Sequence, residues 1–329
     1  MLIIMKNRIQ QPFMLIIYGP TSVGKTELAL NLAQHIPAEI INMDMGQFYT
    51  PLSIGTAKPD WKNSPIPHHL FDIINEPRNF TVSEYRTLLY KKVQEVIERG
   101  NLPIVVGGSG FYLHSLLFPP QVAVEDVDIS GFYPAGTNLW EKLHAIDPKR
   151  ALKIDKNDNY RIQRALGIWH ATGTLPSSYS SLYSPQADYL IIFVERDRQE
   201  LKNRINQRVL EMLTCGWIAE TKKLVDTDWQ AFIQQKKLIG YNDIFDYLVS
   251  EKTDKDFSVM VERISAQTRQ YAKRQFTFWR KLEREIKKEN QYTNTYIGCL
   301  ETVNITNTDI HVYISDLLER LSLIGKKYE

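Results

Sequence analysis

A glycine-rich stretch between a predicted strand and a predicted helix constrains this chain more than any other feature. Residues 13–18 (FMLIIY) form a continuous apolar run, which is typical of a strand buried on both faces. Residues 19–26 (GPTSVGKT) follow, and apolar residues at helical spacing continue to residue 36. Such glycines let backbone N–H groups converge on phosphate oxygens at the N-terminal end of a helix. The sequence therefore predicts a phosphate-binding loop in an α/β fold.

Later apolar runs extend this pattern. Residues 38–43, 102–108 and 189–195 each have the character of a buried strand, and residues 82–100 form an amphipathic helix ended by glycine. Strands that alternate with helices favour a parallel sheet covered on both faces. The predicted fold class is therefore α/β, with a P-loop NTPase-like parallel sheet covered by helices.

The region between the last two predicted strands differs in character. Residues 119–185 contain no buried-strand run, and their apolar residues have helical spacing. We predict a small helical insertion domain over 119–185. The catalytic core then comprises residues 13–118 and 186–329, and its C-terminal part is predicted to be helical.

Composition excludes several classes of protein. Of the 329 residues, 43% are hydrophobic, and the net charge of +2 means that any affinity for nucleic acid must come from local clustering. Cys215 and Cys299 lack metal-type spacing, which indicates two free thiols in a reducing cytosol. The apolar run near the N-terminus is too short to cross a bilayer and lacks the order of a signal peptide. We expect a cytoplasmic protein with no membrane contact and a loosely ordered N-terminal extension.

The residues of the loop indicate magnesium and phosphate chemistry. Lys25 can neutralise a terminal phosphate, and the Thr26 hydroxyl can hold Mg²⁺. A typical ATPase has a further carboxylate at the end of a later strand. Here the run at 102–108 ends in glycines instead. Asp44 is the carboxylate that cleanly follows a predicted strand. Three interpretations remain open: a kinase-like enzyme with Asp44 on magnesium, a binding module, or an enzyme that uses Asp44 as a base.

Seven motifs give the chain a family resemblance. In order, they are GPTSVGKTEL, MDMGQFYTPLSIGTAKP, HHLFDI, GGSGFYL, NDNYRIQRALGIWHATG, GYNDIFDYL and TRQYAKRQFTFWRK. Over residues 14–285 the chain resembles the bacterial-type tRNA dimethylallyltransferases. This family transfers a dimethylallyl group from dimethylallyl diphosphate to N6 of the adenine 3′-adjacent to the anticodon, giving N6-(dimethylallyl)adenosine. The resemblance implies that the loop binds the diphosphate of a prenyl donor.

The same resemblance implies roles for individual residues. Asp44 accepts a proton from the adenine amine, and Ser109, where the family usually has threonine, contacts the diphosphate near the breaking bond. Arg208 clamps the departing diphosphate, with Arg204 as the competing candidate. The implied diphosphate-binding residues are Gly19, Pro20, Thr21, Ser22, Val23, Gly24, Lys25 and Thr26, and Thr26 is also the implied Mg²⁺ ligand.

Contacts to tRNA are implied by two of the motifs. Met45 stands where the family usually has serine, so one hydroxyl contact is lost, whereas Gln47 and Tyr49 are retained. Residues 155–158 read DKND in place of the usual HPND, and the insertion is shorter than usual. The implied tRNA-binding residues are Asp44, Met45, Gly46, Gln47, Tyr160, Arg161, Ile162, Gln163 and Arg164.

A basic segment provides a further candidate contact to RNA. Residues 263–288 hold nine lysines and arginines against Glu283 and Glu285. Arg269, Lys273, Arg280 and Arg284 share one helical stripe, which we name the basic stripe, and Tyr271 and Phe278 mark a face predicted to pack inward. Such a stripe is either a solvated face or a contact to tRNA phosphates, and beside a phosphate loop the second interpretation is favoured. The adjacent His68 and His69 are interpreted as structural rather than metal-binding.

Three hypotheses remain. The first is a monomeric tRNA dimethylallyltransferase that uses Mg²⁺, with the tRNA anticodon loop and dimethylallyl diphosphate as its partners. The second is a prenyltransferase for free adenine nucleotides, and the third is a small-molecule kinase. The basic stripe and the insertion favour the first, because a free nucleotide needs neither of them.

Overall fold

A six-stranded parallel sheet forms the centre of the larger part of the chain. The computed structural model describes residues 12–119, 127–179, 182–290 and 299–327, so the predicted N-terminal extension lies almost wholly outside it. The strands are β1 (Phe13–Tyr18), β2 (Ala38–Asn42), β3 (His68–His69), β4 (Leu102–Gly107), β5 (Asp188–Glu195) and β6 (Cys299–Asn304). Their order is β3-β2-β4-β1-β5-β6, and each neighbouring pair is parallel. The predicted parallel α/β sheet is confirmed.

Helices connect the strands and continue beyond them. In the described ranges they are α1 (Lys25–Ala33), α2 (Val82–Glu98), α3 (Gly110–Leu117), α4 (Leu139–Ile146), α5 (Pro148–Ala151), α6 (Asn159–Thr172), α7 (Arg198–Thr214), α8 (Trp217–Lys222), α9 (Asp228–Lys236), α10 (Tyr241–Val249), α11 (Asp254–Asn290) and α12 (Ile310–Lys327). In those same ranges every helix is too short or too polar to cross a lipid bilayer. Cys215 and Cys299 are free thiols.

The central strand β1 is covered on both faces. Leu15 and Ile17 lie in one apolar cluster with Leu28 of α1 and Leu317 of α12. Tyr18 points to the opposite face, where its ring centroid lies 5.8 Å from that of Trp279 in α11. A strand between two layers of helices has no polar face, which explains its continuous apolar run.

Strand β6 was not predicted within the C-terminal part, which is otherwise mostly helical as the sequence predicts. It pairs with β5 from Leu190↔Cys299 to Glu195↔Asn304, at the edge of the sheet. Of its side chains, Val303 is buried, whereas Cys299 is exposed. An edge strand that is half in solvent has no continuous apolar run, so the pattern that identified the central strands is missing here.

The chain divides into two compact units. The larger comprises Met1–Leu116 and Pro185–Glu329, and the smaller is Leu117–Ser184, where the sequence predicted an insertion over 119–185. The smaller unit has its own apolar core from α4, α5 and α6, which includes Leu143 and Leu166.

A buried carboxylate joins the beginnings of β2 and β4. Glu39, with 2% of its side chain exposed, accepts hydrogen bonds from Arg99 Nε at 2.7 Å and Nη2 at 2.6 Å. Asn101 Nδ2 donates at 2.7 Å, and His69 Nε2 lies at 2.5 Å. Burial raises the pKa of the Glu39 carboxyl, but these hydrogen bonds outweigh it and lower the pKa from 4.5 to about 2.

We therefore expect Glu39 to make stability depend on pH. A lowered pKa gives stability that is present above the unfolded value and is lost as the pH falls from about 4.5 to about 2. Glu39→Gln should reduce the free energy of unfolding near neutral pH by on the order of 3 kcal/mol. Urea titrations at a series of pH values should show that the difference in free energy of unfolding between the variant and wild type becomes smaller in acid. Glu76→Gln, at an exposed position, is the control. A difference in free energy of unfolding that does not change with pH would contradict this role of Glu39.

Candidate active site

The glycine-rich loop lies between β1 and α1, as the sequence predicts. Gly24 has φ 108° and Ser22 has φ 63°, both in the left-handed region. A Cβ at Gly19 would lie 2.4 Å from the Val194 carbonyl oxygen of β5, so glycine is required there by close backbone approach. The loop can therefore curl at the end of β1 and direct the first turn of α1 at a ligand.

Lys25 is held on the loop itself. Its Nζ donates to the carbonyl oxygens of Gly19 at 3.0 Å and Pro20 at 2.7 Å. Burial lowers the pKa of Lys25 from 10.5 to about 7, while Asp44 raises it and Arg208 lowers it further. An anion bound beside this ammonium would favour its charged form.

The backbone of Asp44 is fixed by a buried amide at the end of β2. Asn42 Oδ1 accepts from the Asp44 N–H at 2.9 Å, and Asn42 Nδ2 donates to the Asp44 carbonyl oxygen at 3.2 Å. The Asp44 side chain accepts from the Gly46 N–H at 3.1 Å and caps the short 3₁₀ helix Met45–Phe48. Asp44 therefore has a defined position at the carboxyl edge of the sheet.

The electrostatic surroundings of Asp44 suit a proton acceptor. Burial raises the pKa of its carboxyl, whereas the Lys25 ammonium, the Gly46 N–H and the Arg208 guanidinium lower it. A raised pKa in a cleft with charged neighbours marks a candidate general base.

Two arginines of α7 reach this region. Arg204 Nε donates to the Ser22 carbonyl oxygen at 3.0 Å, and Arg208 Nη2 lies 3.4 Å from the Ala57 carbonyl oxygen. Burial lowers the pKa of Arg208, and Asp44 opposes that effect. Arg204 thus braces the loop, whereas Arg208 lies in the field of Asp44.

Two adjoining cavities meet at these residues. The first, of about 370 Å³, is lined by residues 21–27 of the loop and by Arg204. The second, of about 340 Å³, is lined by Ser109 and by large side chains that include Trp217 and Tyr271. The residues that line both are Thr21, Ser22, Asp44, Thr56, Ala57 and Arg208. A compartment lined by Lys25 and two arginines and a more apolar compartment therefore share a wall that contains Asp44.

The shared wall includes a loop that is fixed from a distance. Glu220 of α8 accepts hydrogen bonds from three consecutive N–H groups, those of Ser53 at 3.0 Å, Ile54 at 2.6 Å and Gly55 at 3.0 Å. Further along this loop, the Ala57 carbonyl oxygen lies 3.4 Å from Gln47 Nε2, the same distance as from Arg208. The Glu220 carboxylate thereby fixes the position of the loop that Gln47 and Arg208 contact.

The candidate RNA contacts near Asp44 are distributed over both cavities. Gln47 lines the first cavity, and Met45 and Gly46 line the second. Tyr271 and Phe278 were both predicted to pack inward. Tyr271 lines the second cavity. The ring of Phe278 packs near that of His114 in α3, with 6.3 Å between the ring centroids.

Members of the basic stripe differ in their surroundings. Arg269 donates to Glu262 Oε1 at 2.7 Å and to Asn206 Oδ1 at 2.8 Å, so its guanidinium is already engaged within the protein. Lys273, Arg280 and Arg284 are exposed on α11. These three residues carry the accessible charge of the basic stripe.

In the smaller unit, the candidate tRNA-binding residues lie in the first two turns of α6. Asp158 caps this helix by accepting from the Arg161 N–H at 3.1 Å. Tyr160, Arg161 and Gln163 are exposed, and Arg164 is partly buried. The predicted contact at Ile162 is not supported for its side chain, which is 1% exposed in the core of that unit.

Several polar residues of the site carry no sequence signal that identifies them. Asn42, Glu220 and Gln275 each bind backbone groups near Asp44 or the loop, and Arg196 Nε donates to the Val23 carbonyl oxygen at 2.7 Å. Most of these contacts join residues more than a hundred positions apart, so no spacing pattern reveals them.

Comparisons with known proteins agree with this geometry. The model of the family described as IPP transferase matches residues 47–282. A tRNA dimethylallyltransferase from Petrotoga mobilis is 38% identical over 278 residues, covering 82% of this chain and 91% of the relative. Another from Bacillus subtilis is 33% identical over 311 residues, covering 88% and 98%.

Solved structures that resemble this chain are also transferases that act on tRNA. A tRNA delta(2)-isopentenylpyrophosphate transferase from Staphylococcus epidermidis has a TM-score of 0.62 at 28% identity, covering 94% of this chain and 99% of its own. A eukaryotic dimethylallyltransferase acting on tRNA has a TM-score of 0.68 at 27% identity, covering 81% and 69%. The chain therefore belongs to the IPP transferase family.

Proposed function

We infer that this chain transfers a dimethylallyl group from dimethylallyl diphosphate to N6 of the adenine 3′-adjacent to the anticodon of tRNA. The products are N6-(dimethylallyl)adenosine in the tRNA and diphosphate. The observation that carries the proposal is the wall shared by two cavities, because it presents Asp44 and Arg208 to both. The names of its relatives, tRNA dimethylallyltransferases, support the choice of substrates.

The first cavity suits the diphosphate of the donor. Its wall offers the loop N–H groups and the cations of Lys25, Arg204 and Arg208. The Ser22 hydroxyl is buried without a hydrogen-bond partner among the described residues, and Ser22 lines both cavities. A phosphate oxygen would satisfy this orphaned group.

The residues present also fit magnesium. Mg²⁺ takes oxygen ligands and commonly binds one or two protein oxygens together with substrate phosphates. Thr26 is the residue that would hold it, and the Thr26 hydroxyl and the Asp44 carboxylate belong to the same cavity. When bound, the ion would neutralise part of the charge of the diphosphate.

The second cavity suits the adenine and the dimethylallyl group. Aromatic and aliphatic side chains such as Trp217 and Ile264 can cover an apolar chain and a flat base. An adenine in a loop must leave its stack to enter, which costs a few kcal/mol.

The reaction then follows from the shared wall. N6 attacks the allylic carbon, a C–N bond forms, and the C–O bond to the diphosphate breaks with both electrons leaving on oxygen. Asp44 takes the proton that N6 loses. Lys25 and Arg208 neutralise the charge that develops on the departing oxygens, and the Ser109 hydroxyl contacts the diphosphate near the breaking bond. Alignment of a weakly nucleophilic amine with its target contributes as much as the base does.

The partners follow from this reaction. tRNA and dimethylallyl diphosphate are the substrates and Mg²⁺ is the cofactor, and since tRNA is decoded in the cytoplasm, we place the protein there. We further propose that the protein acts as a monomer.

One assay separates this function from the alternatives. Radiolabelled dimethylallyl diphosphate is incubated with the protein and either bulk tRNA or AMP, and ATP turnover is measured in parallel. We expect label in tRNA as N6-(dimethylallyl)adenosine, and neither labelled AMP nor ATP hydrolysis. Label in AMP would indicate a nucleotide prenyltransferase, and ATP turnover would indicate a kinase.

Asp44→Asn should separate catalysis from binding. The amide keeps the shape of the side chain but cannot take the proton, so turnover should fall by about 10²–10⁴-fold. Affinity for tRNA should not weaken, and neither should affinity for pyrophosphate at a pH low enough to keep Lys25 charged. The control Glu211→Gln removes another carboxylate of the first cavity and should keep turnover within about threefold of wild type. Activity restored to Asp44→Asn by excess Mg²⁺ would instead make Asp44 a metal ligand.

Pyrophosphate affinity should depend on pH through Lys25. Its pKa of about 7 means that the free site carries the ammonium below that pH and loses it above. Binding measured by calorimetry should therefore weaken as the pH rises through about 7, by up to about tenfold per pH unit. Lys25→Ala is the control that reports the ionisation of the ligand itself. Equal pH dependence in the variant and in wild type would exclude Lys25 as the titrating group.

The basic stripe should set the salt dependence of tRNA binding. A plot of log affinity against log salt concentration has a negative slope. Replacing Lys273 and Arg280 together by glutamine should make that slope less steep by about 1.4, at about 0.7 per phosphate contact on single-stranded RNA. Arg269→Gln should change it little, because Glu262 already pairs that charge. Lys91→Gln, exposed on α2, is the outside control. An unchanged slope in the double variant would reduce the stripe to a solvated face.

A further inference from the structure

A buried amide on α11 bonds to both loops that face the proposed diphosphate. Gln275 is 4% exposed and lines the first cavity. Its Oε1 accepts from the Thr21 N–H at 2.9 Å, and its Nε2 donates to the Gly108 carbonyl oxygen at 2.7 Å. Thr21 belongs to the phosphate loop after β1, and Gly108 belongs to the loop after β4. One side chain therefore bridges two segments that no strand pairing joins at this point.

The segments around Gln275 leave no spare room. A Cβ at Gly108 would lie 2.3 Å from Gln275 Nε2 and 3.2 Å from the Gly19 carbonyl oxygen. Gly108 directly precedes Ser109, which lines the second cavity. The spacing of the Gln275 amide thus sets how far the Ser109 loop lies from the phosphate loop.

The chemistry of the two bonds requires glutamine. A backbone N–H can only donate and a carbonyl oxygen can only accept, so the orientation of the amide is fixed by its partners. A carboxylate could still accept from Thr21, but it could not donate to Gly108 and would place a negative charge in an anion site. An apolar side chain would leave both backbone groups unpaired.

We propose that Gln275 is a positioning residue of the diphosphate site, which holds the phosphate loop and the Ser109 loop at the separation that lets both contact one diphosphate. This inference rests on the proposed function. Gln275 acts through the backbone of Thr21 and Gly108, and its effect falls on the donor rather than on tRNA.

The test is the affinity for inorganic pyrophosphate, measured by calorimetry with Mg²⁺ present, beside tRNA affinity from filter binding. Gln275→Met should weaken pyrophosphate binding by about 10–100-fold, because two backbone groups lose their partner. Gln275→Glu, which keeps the shape and the bond to Thr21, should weaken it as well and more strongly at high pH. Both should keep tRNA affinity within about twofold of wild type. Gln270→Met, on the exposed side of the same helix, is the control.

The outcomes separate the two proposals. If wild type does not bind pyrophosphate, the proposed function fails. If wild type binds it and Gln275→Met matches Gln270→Met, the role of Gln275 is overturned. Parallel losses of pyrophosphate and tRNA affinity would also overturn it, since they indicate a general structural defect. Should Gln275→Met not fold, Gln275→Glu alone decides, because wild-type pyrophosphate affinity in that variant contradicts the inference.

Discussion

A lysine ammonium, a carboxylate and a guanidinium share one cleft, and the rest of the structure depends on holding these three charges together. Removal from bulk water lowers the pKa values of Lys25 and Arg208 and raises that of Asp44, while the attraction between Asp44 and these two cations acts in the opposite direction. Such an arrangement costs free energy, which the stability of a rigid frame must offset. The parallel sheet supplies that frame, because β1 and β2 both end at the carboxyl edge of the sheet, and the segments that carry Lys25 and Asp44 follow directly.

Helices remote in sequence complete the site by holding loop backbone, in addition to the two arginines that α7 contributes. Gln275 on α11 and Glu220 on α8 both bind loop N–H groups, and Arg204 on α7 binds a loop carbonyl oxygen. Preorganised loops of this kind lose little entropy when a ligand binds, and their dipoles already point at the position of developing charge. The helical C-terminal part is therefore as much a component of the proposed donor site as the glycine-rich loop.

The sequence predicted those features whose cause is local. The phosphate loop follows from glycines at fixed spacing between a buried strand and a helix, and Asp44 was found because it directly follows a buried run. Strand β6 was missed because a half-exposed edge strand has no continuous apolar pattern. Gln275 and Glu220 were missed as site residues because their partners lie 167 to 254 and 165 to 167 positions away. Arg269 was predicted as a contact to tRNA, but its pairing with Asn206 was not, because that pairing requires α7 and α11 to meet.

The coupling of the three charges has a direct measurement, the pH midpoint at which pyrophosphate affinity changes through Lys25. Asp44 raises the pKa of Lys25 and Arg208 lowers it, so removing each charge should move this midpoint in opposite directions. In calorimetric titrations across pH, Asp44→Asn should shift the midpoint below the wild-type value of about 7, and Arg208→Gln should shift it above, whatever happens to the overall affinity. Midpoints that stay in place, or that move in the same direction in both variants, would contradict a shared electrostatic site.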